Sequence, residues 1–417
     1  MLGSLLPVRS LLVAMFIIMA GSGFMATLVA LQLEATGTSP MLIGPVATLY
    51  FVGLTVGSLR VPRIVDRIGH IRAFAAFVSL YSASSLAYAI HQDPIFWGAL
   101  RLVDGFCMAG VFVCIESWLN DQSEPETRGG VLAAYMIFLY SGQAAGQFLL
   151  TLSQEKPSMP FLAASILLSL AVLPVAMTRR AGPPIEARPS LDVRRLYRAS
   201  PLGIVGAAVT GVMLGAFYAL GAVHVRRLGL DMAGAATFMS AVIIGGVLLQ
   251  WPIGRLSDMF DRRRVIVGTL VAVVAVSLTM AFVPASGAAM LLLGGLFGGL
   301  TFALYPLCVA HTNDRLAAQE RVAASGGLVL AYSLGAAAGP IPGAAMMELM
   351  GPAGLYGFIA LCGIGGLAFA AWRARAALPV PRALQQRFQT LPRTTSLSAS
   401  PVTVPEDEGP IGAGKET

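Results

Sequence analysis

Apolar residues run along most of this chain in blocks of about twenty, separated by short stretches where charge, proline and glycine concentrate. A block of roughly 20 apolar residues, coiled as an α-helix, is long enough to cross the hydrocarbon layer of a bilayer. On that criterion twelve crossings are expected. The first six occupy about 10–33, 41–62, 73–91, 95–119, 129–152 and 159–178, and the next six about 201–224, 233–254, 264–284, 287–311, 323–347 and 353–372. Thr38-Ser39-Pro40, Asp93-Pro94 and Ser123-Glu124-Pro125-Glu126 punctuate the intervals with turn or cap chemistry. The run from Leu11 to about Leu33 exceeds the apolar core of a secretory leader, so it counts as the first crossing.

Residues 179–200 hold Pro183, Pro184 and Pro189 with Arg179, Arg180, Arg188, Arg194, Arg195 and Arg198, which no crossing tolerates. They are expected to link an N-terminal half, 1–178, to a C-terminal half, 201–372. From 373 to 417, Pro, Ser and Thr accumulate and Glu406, Asp407 and Glu408 form an acidic cluster, which predicts a disordered cytoplasmic tail. The two halves repeat one another. At an offset of 192, Arg63, Asp66 and Arg72 fall on Arg255, Asp258 and Arg264; at 193, Asn120-Asp121 falls on Asn313-Asp314, Arg128 on Arg321, and Gly142 with Gly146 on Gly335 with Gly339. Matched charges at matched membrane depth predict an all-α membrane protein of two pseudo-symmetric six-helix halves. That is the arrangement of a secondary transporter with its site between the repeats.

Composition agrees. Hydrophobic residues make up 56% of the chain and charged ones 12%, where soluble proteins hold about a quarter. The net charge of +7 comes from 28 Lys and Arg against 21 Asp and Glu. In a soluble protein it would suggest a nucleic-acid surface. Here Lys156, Arg226 and Arg227 alone fall on one face and Arg101 lies within a crossing, which leaves 24 basic residues for the other. By the positive-inside rule that face is cytoplasmic, with both termini and the linker, in a plasma (inner) membrane. Cys107, Cys114, Cys308 and Cys362 sit in apolar runs without a CxxC spacing and are expected to pack as small hydrophobes. No phosphate-binding loop, nucleophile elbow or His-rich cluster is present, so neither catalysis, a metal nor a cofactor is expected. The expected partners are a small solute, protons and the bilayer, with no nucleic acid, for a chain acting as a monomer.

The segment Gly57 to Arg72 resembles the signature of the major facilitator superfamily between its second and third helices: a Gly-rich helix end, then Asp66-Arg67-Ile68-Gly69, with His70 where a basic residue is usual. The second copy keeps Gly254, Asp258 and a basic run, while Asp261 replaces the Gly. Gln250-Trp251-Pro252-Ile253-Gly254-Arg255-Leu256, Glu116-Ser117 and Leu132-Ala133-Ala134-Tyr135-Met136 look most like the bacterial YcaD-type branch. The resemblance implies alternating access in a twelve-helix fold. It also implies that Asp66, with Arg63 and Arg67, latches the cytoplasmic ends of the halves in the outward-open state, the alternative being positive-inside charge alone; Arg255 and Asp258 join that gate. Glu116, near the cytoplasmic end of the fourth crossing and close to Arg63, Arg67 and Arg128, belongs either to that salt-bridge network or to a substrate contact.

Arg101 and Asp104 share a face of the fourth crossing and can pair. Arg101-Leu102-Val103-Asp104-Gly105 resembles the Arg-x-x-x-Gly motif of proton-coupled members, with Asp104 where Gln is common. The pair is either a proton carrier or a static ion pair. Gln143 and Gln147 stand at i and i+4 beside Gly142 and Gly146, facing either a solute cavity or a neighbouring helix. The fifth crossing has Gln147 where the antiporter signature ends in Pro, and the complete Gly-x-x-x-Gly-Pro lies at Gly335 to Pro340 on the eleventh. Ser22, Tyr50, Tyr140, Tyr218, Tyr305 and Tyr332 lie near mid-membrane and are further lining candidates. His224 and His311 are expected at solvated helix ends. Proton-coupled efflux is the first expectation, because the cavity helices carry few fixed charges; proton-coupled uptake is the second, facilitated diffusion and a non-transporting sensor the others.

Overall fold

The computed structural model describes residues 8–124, 127–177, 193–283, 287–374, 385 and 388. Most of the expected disordered tail, including Glu406, Asp407 and Glu408, the Pro- and Arg-rich first part of the linker, and Pro125-Glu126 lie outside the described residues; Arg373 and Ala374 instead end the last helix.

Helices follow the apolar blocks. In the N-terminal half they are α1 (Arg9–Ser22), α2 (Met25–Ala35), α3 (Pro40–Ile68), α4 (His70–Ala87), α5 (Pro94–Asp121), α6 (Arg128–Gln147), which continues as a 3-10 turn (Phe148–Gln154), and α7 (Met159–Ala176). The short α8 (Val193–Ala199) precedes α9 (Pro201–Arg227), α10 (Met232–Met259), α11 (Arg262–Phe282), α12 (Gly287–Asn313), α13 (Ala318–Ala338), α14 (Pro340–Met350) and α15 (Ala353–Ala374). Starts are set by local chemistry. Asp93 accepts the Phe96 N–H at 2.8 Å with Pro94 at the first helical position, and Asp231 accepts from Gly234 at 2.7 Å. Each side chain satisfies a donor that the first turn leaves without a partner.

Among the described residues, ten of these helical stretches, with α1–α2 and α13–α14 each spanning one crossing, are long and apolar enough to cross a membrane. The expected crossings at 73–91 and 129–152 are helical as α4 and α6 but fall outside those ten. Polar residues explain it: α4 opens with His70 and Arg72 and is rich in serine, and α6 opens with Arg128 and carries Gln143 and Gln147. Outward-facing Leu59, Ile166, Leu248, Leu292 and Leu361 give the bundle the apolar exterior that lipid requires.

Two expected helices are broken. The first crossing divides at Gly23-Phe24, and the eleventh at Gly339, ahead of Pro340, whose ring cannot continue the ladder. The described end of the linker is helical. In α8, Leu196 is buried against Gly327 of α13, and Arg195 forms an ion pair with Glu320.

The sequence repeat is a repeat of contacts. A Cβ at Gly142 or Gly146 would meet the carbonyl oxygens of Phe16 and Ala20; one at Gly335 or Gly339 would meet those of Ala208 and Val212. Likewise Gly53 and Gly105 abut Leu102 and Tyr50, while Gly245 and Gly298 abut Gly295 and Val242. In each half, glycine brings the same two helix pairs to backbone contact: α6 on α1 and α5 on α3, then α13 on α9 and α12 on α10.

Among the described residues, polar contacts join the halves away from the end that carries the basic loops. Thr48 donates to the Ala337 carbonyl at 3.0 Å, Ser240 to the Ala144 carbonyl at 2.8 Å, and Arg227 pairs with Glu34 at 2.6 Å. Gly44 packs on Pro340, Ile341 and Ala344 beside them.

Candidate solute cavity

Between the halves at mid-depth lies a cavity of about 140 Å³. Gly23, at the break between α1 and α2, borders it, and a Cβ there would strike Gln143 on α6. Ser22, Tyr50, Tyr140, Gln143, Tyr218 and Tyr332 border the cavity, together with Met19, Met108, Met136, Phe51 and Phe112. Arg101 is the one charged residue among its described lining.

Two expected lining residues lie elsewhere. Tyr305 is buried behind Tyr332, edge-on at 5.3 Å between ring centres. Gln147, at the last turn of α6, donates to the Gly23 carbonyl at 3.2 Å, in the break between α1 and α2. The two amides of α6 therefore part company: Gln143 faces the cavity, and Gln147 serves a carbonyl at the helix break.

Arg101 and Asp104 do pair, at 3.7 Å, with side chains 3% and 0% exposed. That separation is an ion pair rather than a hydrogen bond. Asp104 is bonded instead by hydroxyls of α4 and the turn after it: Ser84 Oγ donates to Oδ1 at 2.6 Å, and Tyr88 OH to Oδ2 at 2.7 Å. Tyr88 is held in turn by Trp97 and Phe161. The Arg101 guanidinium lies 4.2 Å from the centre of the Tyr50 ring, a cation–π contact. So the guanidinium fronts the cavity, while the carboxylate sits behind it, sealed from solvent. Ser84 and Tyr88 are partners that sequence reasoning missed. The available signal was the cluster Ser82, Ser84, Ser85 and Tyr88 within an apolar crossing, since a buried carboxylate needs donors nearby.

The gate residues divide into three groups. Arg63, Asp66 and Arg67 are exposed and make no ion pair among the described residues. Glu116 is buried and accepts a hydrogen bond from Tyr135 of α6 at 2.9 Å; Arg128, at the start of that helix, has its Nε buried without a hydrogen-bond partner among the described residues. In the second copy, Asp258 pairs with Arg262 at 3.2 Å and accepts the Phe388 N–H at 2.9 Å, while the Phe388 ring covers Gly254. Arg255 lies over Trp251, 5.5 Å from its centre. A residue of the C-terminal segment thus occupies the signature's second copy, which no local pattern announced.

The two histidines are not at solvated ends. His224, 2% exposed, bonds the Pro352 carbonyl through Nδ1 at 2.7 Å and meets Tyr356 edge-on; His311 is 3% exposed. Tertiary packing at both helix ends covers what the sequence leaves as a terminus.

The family model described as Major Facilitator Superfamily matches residues 11–249 and 228–404. The chain is 29% identical over 346 residues to the uncharacterized MFS-type transporter YcaD of Salmonella arizonae, covering 82% of this chain and 89% of that protein, and equally to YcaD of Escherichia fergusonii. The YcaD-type resemblance of the chain is borne out. Solved structures with the same fold include nucleoside transporter NupG (TM-score 0.73, 15% identity, 89% of this chain and 98% of that one). A bacterial homolog of the human lysosomal transporter Spinster, inward-facing and occupied, scores 0.71 at 14% identity, covering 91% of this chain and 97% of that one.

Proposed function

We propose that this chain, which belongs to the Major Facilitator Superfamily, exports a small amphipathic organic solute in exchange for protons. That it is a superfamily transporter follows from the family; the solute, the direction and the coupling are our reading. The observation that carries the coupling is the layered pair: a solute in the cavity touches Arg101, and Arg101 is the only charged neighbour within ion-pair reach of Asp104 among the described residues. Asp104 can be held by that cation or can take a proton, and whatever moves the guanidinium decides between them. A neutral or cationic solute stacked on Tyr50 presses Arg101 toward the carboxylate and expels the proton, which is exchange. The aromatic and methionine lining favours such a solute, and about 140 Å³ is close to the roughly 150 Å³ that admits benzene.

One observation favours a second reading. Since Arg101 is the sole charge on the described lining, a solute carboxylate would draw it away from Asp104. Proton and solute would then bind together, giving uptake.

The halves are joined at the end away from the basic loops, and Arg63, Asp66 and Arg67 make no ion pair among the described residues. Both facts support an inward-open state, with the basic end cytoplasmic and the Asp66 latch closing only in the outward-open state. The test is flux in proteoliposomes under an imposed pH gradient, across a panel of solutes, with internal pH recorded. Asp104→Asn is expected to lower pH-driven flux at least tenfold while solute exchange without a gradient persists. Full pH-driven flux in that variant would remove Asp104 from coupling.

A further inference from the structure

A second cavity, of about 460 Å³, opens at the basic end of the C-terminal half, where the starts of α9 and α11 meet the ends of α12 and α15. Its described lining holds Arg263, Arg264, Arg315, Arg373 and His311 against one carboxylate, Asp261. That carboxylate already caps α11, accepting the Arg263 N–H at 3.0 Å. Neighbouring Arg262 is committed elsewhere, to Asp314 at 2.5 Å and Asp258 at 3.2 Å.

Two of the lining groups have unspent donors. His311, 3% exposed, makes no side-chain hydrogen bond among the described residues. Arg315 has its Nε buried without a hydrogen-bond partner among the described residues. Burial, followed by the nearby Arg263 and Arg373, holds the Arg315 guanidinium below the usual arginine range, with Asp314 and Asp261 pulling the other way. A site that is built positive, and strains one of its own cations, gains from an anion.

Membrane depth narrows the anion. Trp372 is exposed beside the cavity with the Arg373 guanidinium 5.6 Å from its ring centre, and exposed tryptophans mark the headgroup level. Leu202, Val267 and Ala370 complete the same lining as apolar surface. We propose that this cavity binds the phosphate of an anionic lipid headgroup, held by Arg315 and Arg373 with His311 donating from the floor and the acyl chains lying along the apolar wall. Free phosphate shares the headgroup's chemistry but makes no use of that wall.

The test is native mass spectrometry of the full chain released from bilayers of equal phosphatidylcholine and phosphatidylglycerol. Wild type is expected to retain phosphatidylglycerol preferentially, and Arg315→Gln with Arg373→Gln to lose that preference at least tenfold. Arg9→Gln, an exposed basic-end arginine on α1, is the control that keeps it. Should the double variant not fold, Arg264→Gln alone, at an exposed rim position, is expected to weaken retention about threefold. Equal retention by wild type and every cavity variant would overturn the site. Thermal stabilisation by millimolar inorganic phosphate equal to that by phosphatidylglycerol assigns a soluble anion and overturns the lipid. Preference that emerges only after Glu406→Gln, Asp407→Asn and Glu408→Gln assigns the cavity to the chain's own tail and overturns it too.

Discussion

Asp104 shows how much a single buried charge demands of its surroundings. A carboxylate with no exposure is tolerable only when its oxygens are bonded and its charge is answered. Here two hydroxyls do the first and Arg101 the second, and that leaves the cation on the cavity wall where a solute can reach it. The two amides of α6 give a sharper test of residue roles. Gln147→Leu leaves the Gly23 carbonyl without its partner, which costs about 1–3 kcal/mol for a buried polar group. It is expected to lower the melting temperature in detergent. Gln143→Leu, one turn earlier, is expected to change the apparent KM for the transported solute with little effect on melting. The reverse pattern would exchange their roles.

Among elements, glycine decides which helices touch. A methyl at Gly335 would lie 2.2 Å from the Ala208 carbonyl oxygen, so α13 must leave α9 to accommodate it. Gly335→Ala is therefore expected to destabilise by roughly 1–3 kcal/mol, the usual cost of overpacking, read as loss of monodisperse protein after a heat step. Gly357, on α15, has open space where its Cβ would lie. Gly357→Ala is expected to be neutral or to stabilise by up to about 1 kcal/mol, since alanine is the better helix former. The same contacts recur at Gly142 and Gly146 on the other half, so paired variants at equivalent positions are expected to behave alike.

At the scale of the molecule, the halves move only if their contacts at the end away from the basic loops can part. An ideal Cβ at Gly44 lies 3.0 Å from Ala344 Cβ, near disulfide range once the helices relax slightly. Gly44→Cys with Ala344→Cys is expected to form a disulfide on oxidation, abolish flux, and recover it on reduction. Flux that continues with the disulfide formed would place the moving contact elsewhere. The four native cysteines are free thiols, three of them buried, so they compete little for oxidation.

What the sequence determined is what depends on local composition and on spacing. Apolar run length predicts the helices, because backbone groups in lipid must bond within their own segment. The offset of 192 to 193 residues predicts equivalent halves, since like residues at like depth make like contacts, and the glycines at 142, 146, 335 and 339 show it contact by contact. The Arg101–Asp104 pair was legible for the same reason, as two charges three residues apart on one helix. What required the tertiary structure is whatever a residue owes to a distant segment. Gln147 turned from the cavity to a break 124 residues away; Ser84 and Tyr88 closed on Asp104 from another helix; His224 and His311 were covered by neighbouring helices at what looked like exposed ends. Helix periodicity gives a side chain's face on its own axis, but which neighbour that face meets depends on how the helices cross, and that is decided only when the bundle packs.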